Sequence, residues 1–284
     1  MPKIGDALLW VESTLREAAV PDPAIDARLL LSHVTGLSGI ELRLRSAQEM
    51  TKRQEQRLSS LLFSRAGRRP LQYLLIEQWF YGLPFFVDER VLIPRPETET
   101  LCELAIAYLR RFSSPAVLDV CTGSGAIAVT LAHECPGAQV TATDISAPAL
   151  AVALKNAEQN GVSLRLLEGD LFFPVAEERF HCIVSNPPYI ETSVCKTLQA
   201  EVQQEPLLAL DGGADGLAYY RRIAKEAASH LHPEGLLCLE IGDTQGDAVS
   251  ALLFAEKRYK KITIHADLSG SPRVVCAYAP SSPT

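Results

Sequence analysis

Four consecutive residues, Asn186-Pro187-Pro188-Tyr189, close the apolar run His181-Cys182-Ile183-Val184-Ser185. Neither proline has an N–H to give to a ladder, so a strand stops here in a rigid, extended turn. The residue before a proline is driven out of the helical region. Asn186 is therefore expected at the C-terminal end of a strand, with its planar amide, the free carbonyls of the turn and the Tyr189 ring gathered on one crevice. Such a set can accept both hydrogens of a planar –NH2 group and pack on its face. A proline-rich loop with a buried tyrosine has the same local pattern, so the chemistry depends on what the chain places opposite.

What stands opposite is a glycine loop. Val117-Leu118-Asp119-Val120 reads as a buried strand running into Cys121-Thr122-Gly123-Ser124-Gly125-Ala126-Ile127-Ala128 and then a helix. The glycines allow a tight turn and close backbone approach to a ligand. Asp144 closes the next strand, where a carboxylate suits a ribose diol. Gly123-x-Gly125-x-x-Ala128 also satisfies the dinucleotide fingerprint, so a nicotinamide dehydrogenase is an alternative. Asp119 favours S-adenosylmethionine, because a carboxylate beside the loop suits a ligand with a positive amino group and would repel a pyrophosphate. After the third strand comes Glu168-Gly169-Asp170-Leu171-Phe172. Asp170 there can accept from an adenine amine, with Leu171 and Phe172 packing on the ring, although a turn acid before two core residues has the same spacing. The six histidines show no metal-ligand spacing, His230-x-His232 reads as a helix end, and no metal is expected.

Three kinds of element must position these residues. Residues 1–75 read as a small helical domain. Ile4, Leu8, Val11 and Leu15 recur at helical spacing, Asp22-Pro23 opens a helix running toward Gly36, and Ser38-x-x-Glu41 and Thr51-x-x-Gln54 fit capping boxes. Residues 76–96 form a linker, with an aromatic and β-branched hairpin over 79–93. From 97 to 284 strands alternate with helices, the strands at 116–120, 139–143, 163–168, 182–185, 236–241, 261–266 and 273–279. The fold class is α/β: a doubly wound, mostly parallel seven-stranded sheet. Only Asp267-Leu268-Ser269-Gly270-Ser271-Pro272 separates the last two strands, too short for a helical crossover, so the last strand is antiparallel. That ending suits a methyltransferase sheet. The tail over 280–284 reads as disordered.

Composition narrows the partners. The net charge is −7, against the basic balance usual for a duplex binder, so stable DNA binding is not expected. Residues 1–84 carry a net charge of about +2 and the remainder about −9, with Arg53, Arg57, Arg65, Arg68 and Arg69 clustered late in the helical part. Solvated helix faces account for most such clusters; contact with a partner protein or RNA is the other reading. The N-terminus lacks the apolar core of a signal peptide, and no stretch approaches a membrane span. Seven scattered cysteines without a C-x-x-C pair point to free thiols in a reducing cytoplasm.

Five blocks together carry a resemblance. They are Arg69-Pro70-Leu71-Gln72-Tyr73, Val91-Leu92-Ile93-Pro94-Arg95-Pro96-Glu97-Thr98-Glu99, the loop Thr122–Ala128, Asn186-Pro187-Pro188-Tyr189-Ile190, and Glu205-Pro206-Leu207-Leu208-Ala209-Leu210-Asp211-Gly212-Gly213. The chain resembles the PrmC/HemK family, the glutamine methyltransferases that modify peptide chain release factors. The match spans roughly residues 65–279. It departs at Leu75-Ile76, where such proteins often carry a glycine, at Cys121, which replaces a frequent glycine, and at Leu171, where a tryptophan is common in some members. The resemblance implies methylation of the glutamine in the Gly-Gly-Gln loop of class 1 release factors, with the helical domain docking the release factor.

In this reading the acceptor is gripped by Asn186, Pro187, Pro188 and Tyr189. The cofactor meets Cys121, Thr122, Gly123, Ser124, Gly125, Asp144, Asp170, Leu171 and Asn186. Arg95-Pro96-Glu97-Thr98-Glu99 is placed as a lid or support near the cofactor mouth. The tetrapeptide alone would serve a nucleic-acid adenine amino-methyltransferase equally well. A non-catalytic binding module is the reading from another class, opposed by the intact glycine loop, Asp144 and Asn186.

Overall fold

The structure, a computed structural model, describes residues 1–281, which form two compact units. One comprises Met1–Ile76 together with Gln199–Gln204; the other holds the rest. The first is built from α1 (Ile4–Glu17), α2 (Pro23–Thr35), α3 (Gly39–Leu44), α4 (Lys52–Ala66) and α5 (Leu71–Leu75). Ile4, Ala7, Val11 and Leu15 bury one stripe of α1, as helical spacing requires. Both capping boxes form. Glu41 N–H donates to Ser38 Oγ at 3.3 Å and Gln54 N–H to Thr51 Oγ1 at 3.2 Å, and each partner side chain reaches back to the cap N–H. Such caps stabilise a helix by about 1 kcal/mol each. Asp22 makes no side-chain cap; Pro23 alone marks the start of α2, and Gly36, at φ 73°, ends it.

Residues 199–204 fall outside the range expected for the helical part. They pack there because Glu201 answers two arginines. Its carboxylate accepts from Arg65 Nη1 at 2.9 Å and from Arg68 Nε and Nη2, each at 2.7 Å. Arg65 Nε also donates to Asp26 at 2.7 Å. Arg65 is buried, and a buried guanidinium short of partners costs several kcal/mol. Two members of the basic cluster are thus engaged inside the unit, and a third, Arg57, meets His33 Nε2 at 2.7 Å.

The second unit opens with the hairpin β1 (Gln78–Phe80) and β2 (Leu83–Phe85), pinned by an edge-to-face contact of Phe80 and Phe85. The hairpin is shorter than the 79–93 expected. Beyond Phe85 the backbone finds side-chain partners in place of a ladder: Asn156 takes both polar groups of Phe86, and Glu205 takes the N–H of Ile93.

Seven strands follow: β3 (Ala116–Val120), β4 (Gln139–Asp144), β5 (Arg165–Glu168), β6 (Phe180–Ser185), β7 (Leu231–Glu240), β8 (Lys260–Ala266) and β9 (Pro272–Tyr278). Their order is β5-β4-β3-β6-β7-β9-β8; the pairs from β5 to β7 are parallel, and β9 is antiparallel to both its neighbours. The helices are α6 (Glu99–Leu109), α7 (Ala126–Glu134), α8 (Ala147–Gln159), the short α9 (Thr192–Cys195), α10 (Ala218–Ala227) and α11 (Gly246–Ala255). Successive strand residues enter two different cores: Cys182 and Val184 join the one built with α6 and α7, Ile183 the one built with α10 and α11. This is the period-two alternation of a sheet covered on both faces. The strand order reverses between β3 and β6, and a crevice is expected outside the carboxyl ends of the strands at such a point. Of the tail expected to be disordered, the Pro280 carbonyl accepts from Glu234 N–H and Ser281 bonds to Lys260 and Glu234; residues 282–284 lie outside the described residues.

Candidate active site

The chain leaves β3 through a loop of left-handed residues, Cys121 (φ 62°), Gly123 (φ 56°) and Gly125 (φ 78°), before α7 begins. Thr122 N–H donates to the Thr143 carbonyl and Gly123 N–H to Asp144 Oδ2 at 2.8 Å. Asn156, reaching from α8, holds the Ser124 carbonyl at 2.8 Å. The loop is thus clamped to the next strand and helix. A Cβ on Gly123 would meet no protein atom within 4 Å, so the space beside it belongs to the cleft. A Cβ on Gly125 would stand 3.1 Å from Ala153 Cα; this glycine admits α8 and does not line the cleft.

One cleft gathers most of the expected cofactor residues. Cys121, Thr122, Gly123 and Ser124 form one wall, Asp144, Asp170 and Leu171 another, and Asn186 and Pro188 a third. Asp144 accepts Gly123 N–H on one oxygen and Ser146 N–H, at 2.9 Å, on the other. Each carboxylate oxygen has a second acceptor direction, so the side chain still faces the cleft with acceptors. Burial pushes its pKa up, against the N–H groups of Ser146, Gly123 and Ile145. Asp170 is exposed and pairs with Arg222 at 2.7 Å, which also lines the cleft.

Two expectations need correction. Asp119 is wholly buried and does not reach the cleft. Thr122 Oγ1 donates to its Oδ2 at 2.6 Å, while Oδ1 has no hydrogen-bond partner. Burial drives its pKa to about 7, against the hydrogen bond from Thr122. It braces the loop from behind. Phe172 is likewise in the core, stacked on His230 with ring centres 4.9 Å apart.

The Asn-Pro-Pro-Tyr turn leaves β6 where Ser185 Oγ donates to the Val120 carbonyl at 2.6 Å. Gln245 Nε2 donates to the Tyr189 carbonyl at 2.9 Å, and Ile190 N–H to the Leu210 carbonyl. Gly212 packs so closely beneath that a Cβ there would lie 2.7 Å from Tyr189 Cα. Asn186 and Pro188 face the cleft; Pro187 is buried and Tyr189 points away, its hydroxyl donating to Glu240 at 3.5 Å. Tyr189 packs with the core around α10, so its ring is not a platform in the cleft. Asn186 Nδ2 donates to Thr98 Oγ1 at 3.4 Å.

Two blocks that looked separate in sequence meet here. Glu205 is buried and accepts from Ile93 N–H at 3.0 Å and from Arg95 at 2.5 Å. This pair holds Arg95 and Thr98 on one side of the cleft, Pro206 and Leu208 on another. Sequence reasoning missed Ile145, Tyr219 and Arg222 as lining residues and Asn156 as the loop's clasp. Ile145 carried a signal, directly following Asp144; Tyr219, Arg222 and Asn156 lie on helices whose facing only the assembled sheet decides.

No helix among the described residues is long and apolar enough to cross a membrane, and no cluster of three or more metal-ligating side chains occurs among them. Residues 6–75 match the PrmC N-terminal domain and residues 101–207 the methyltransferase small domain. The chain is 42% identical over 275 residues to the release factor glutamine methyltransferase of Gloeobacter violaceus, covering 95% of this chain and 96% of that one. It is 41% identical to that of Deinococcus radiodurans, covering 97% and 98%. A methyltransferase from Pyrococcus furiosus superposes over 80% of this chain and 99% of its own, with a TM-score of 0.52 and 20% identity, a likeness of fold alone.

Proposed function

The chain belongs to the release factor glutamine methyltransferase family, and from that premise we propose that it moves a methyl group from S-adenosylmethionine to the side-chain amide nitrogen of the glutamine in the Gly-Gly-Gln motif of class 1 release factors. The observation that carries this reading is that Asn186 and Asp144 open on one cleft. An amide acceptor then stands opposite a carboxylate poised for a ribose. The donor set fits the cofactor. The open face of Gly123 leaves room for a ligand against the loop, Asp144 would hold the ribose diol, and Leu171 and Ile145 offer apolar faces to a purine. Asp170 would accept from the exocyclic amine while sharing its carboxylate with Arg222. When bound, S-adenosylmethionine supplies a methyl activated by a sulfonium.

The protein's own part is orientation. A glutamine amide nitrogen is a poor nucleophile because its lone pair is delocalised into the carbonyl. Asn186 Oδ1, with a carbonyl of the same turn, would accept both amide hydrogens and fix the nitrogen's direction. It also draws electron density onto nitrogen as the new bond forms. The nitrogen sheds its proton late, to water or a neighbouring acceptor. Catalysis then rests on alignment and fixed acceptors, without a strong base. The helical unit is the proposed docking surface for the release factor; Leu9, Trp10, Ile25, Leu29 and Phe63 are exposed there, the kind of apolar surface that marks partner contact.

Incubation with a labelled methyl donor and recombinant release factor tests this reading. Label should enter the wild-type factor and not one whose Gly-Gly-Gln glutamine is alanine. Label entering DNA or RNA, with none in the factor, would overturn it.

A further inference from the structure

Among the described residues three cationic side chains line the cleft, Arg90, Arg95 and Arg222. Two of them are engaged by acids at their side. Arg90 grips Asp88 through both Nε, at 2.8 Å, and Nη2, at 2.6 Å. Arg222 bonds to Asp170, which is itself a wall of the cleft. An anion approaching Arg222 therefore meets that acid's charge as well. Arg95 differs. Its partner Glu205 does not line the cleft, and the Glu205 side chain is 1% exposed against 34% for that of Arg95. The buried carboxylate takes Ile93 N–H on one oxygen and Arg95 Nη2 on the other. A guanidinium has five N–H donors. Arg95 gives one to Glu205 and makes no other side-chain hydrogen bond among the described residues.

The backbone places this group near the acceptor. Arg95 is extended, at φ −102° and ψ 141°, as a residue before proline is expected to be. Its carbonyl accepts Thr98 N–H at 3.1 Å, and Thr98 is the residue that meets Asn186. Arg222 belongs instead with Asp170, where the adenine amine is placed. The transferable methyl lies between the adenosine and the amino acid of the donor. With adenine at Asp170 and the methyl at Asn186, the amino-acid end falls on the side of Arg95. That end carries a carboxylate. The glycine loop has few donors to offer it, because the N–H groups of Thr122, Gly123 and Gly125 go to Thr143, Asp144 and Thr122. Glu97 and Glu99, the acids of the Arg95 segment, are not among the cleft walls.

We propose that Arg95 binds the carboxylate at the amino-acid end of S-adenosylmethionine, with Glu205 fixing the guanidinium from behind. The proposal rests on the reading of this cleft as the donor site. A guanidinium edge pairs with a carboxylate through two parallel bonds. Glu205 already immobilises the side chain, so binding costs little further entropy. Glu205 also offsets the positive charge, and the contact selects by hydrogen-bond geometry more than by net charge. Arg95 is then a specificity residue: an analogue stripped of its carboxylate leaves these donors unanswered.

Calorimetry on the full-length protein tests this without any transfer reaction. The two probes are S-adenosylmethionine and its decarboxylated form, which keeps the adenosine, the sulfonium and the amino group. The variants are Arg95→Leu, and Arg95→Leu combined with Glu205→Gln. The double variant removes one charge of each sign and leaves no buried acid without its cation, while the glutamine oxygen can still accept Ile93 N–H. In both variants the ratio of the two affinities should shift toward the decarboxylated form by about 10-fold or more, the scale of a charged hydrogen bond. In the double variant affinity for the decarboxylated form should stay within about threefold of wild type. A purely structural role would weaken both ligands alike. An unchanged ratio in the double variant would therefore overturn the proposal and leave the donor site standing. Binding of neither probe by the wild type would overturn the donor reading, and the proposal with it.

Discussion

Asn186 and Asp144 share a cleft, and the proposed reaction divides its work between them. There Asn186 grips the acceptor, so its loss should appear in the chemical step. Asn186→Ala is expected to lower kcat by roughly 100-fold, the scale on which one fixed catalytic hydrogen bond acts, with donor affinity changed little. Asp144→Ala should do the reverse, weakening donor binding by roughly 10- to 100-fold, as loss of a charged hydrogen bond does. Single-turnover kinetics and calorimetry separate the two, and interchange of the effects would contradict the assignment. Both residues were legible in the sequence because each sits beside a local signal, a Pro-Pro stop or the end of an alternating strand. Asp119 was misplaced because its direction depends on whether the loop turns toward it or away, and Thr122 Oγ1 settles that from behind. Asn156 gave no sign, because the groups it serves, on Ser124 and Phe86, are distant along the chain. The same holds for Gly125, whose missing side chain makes room for Ala153.

At the scale of elements, two non-glycine residues sit in the left-handed region that favours glycine. Cys121 and Ile76 have φ values of 62° and 60°. The turn after β3 and the end of α5 require a left-handed residue, and a side chain there costs roughly 1–2 kcal/mol. Cys121→Gly is expected to stabilise the fold by about 0.5–1 kcal/mol once the added freedom of the unfolded chain is counted. A denaturant midpoint that stays put or falls would refute this. The strands were read well because interior parallel strands are nearly continuous apolar runs. The start of β7 at Leu231 was not, since His232-Pro233-Glu234-Gly235 has the composition of a turn yet continues the strand. The hairpin was recognised by its aromatics and overextended, because the loop after it carries the same residue types and is held by Asn156 and Glu205 instead.

For the molecule as a whole, opposed shifts shape stability against pH. Burial raises Glu201, but Arg68 and Arg65 outweigh it and hold the group at about 2. That stability is present above the ordinary carboxylate range and is lost as pH falls from about 4 toward 2. Asp119 and Glu240 are raised by burial to about 7. Their contribution is complete below about 4 and is lost as pH rises through about 7. Urea unfolding should therefore show a maximum from these groups near pH 4–5. Glu201→Gln should flatten the acid limb and Glu240→Gln the neutral one; parallel curves for wild type and Glu240→Gln from pH 5 to 8 would contradict the burial argument. The return of residues 199–204 to the helical unit also sets an order of events during synthesis. The helices leave the ribosome first, with Arg65 and Arg68 in place, yet Glu201 emerges only after β3, β4, β5 and β6 have been translated. The part of the chain made earliest must wait, one acid short, and becomes complete only when most of its successor already exists.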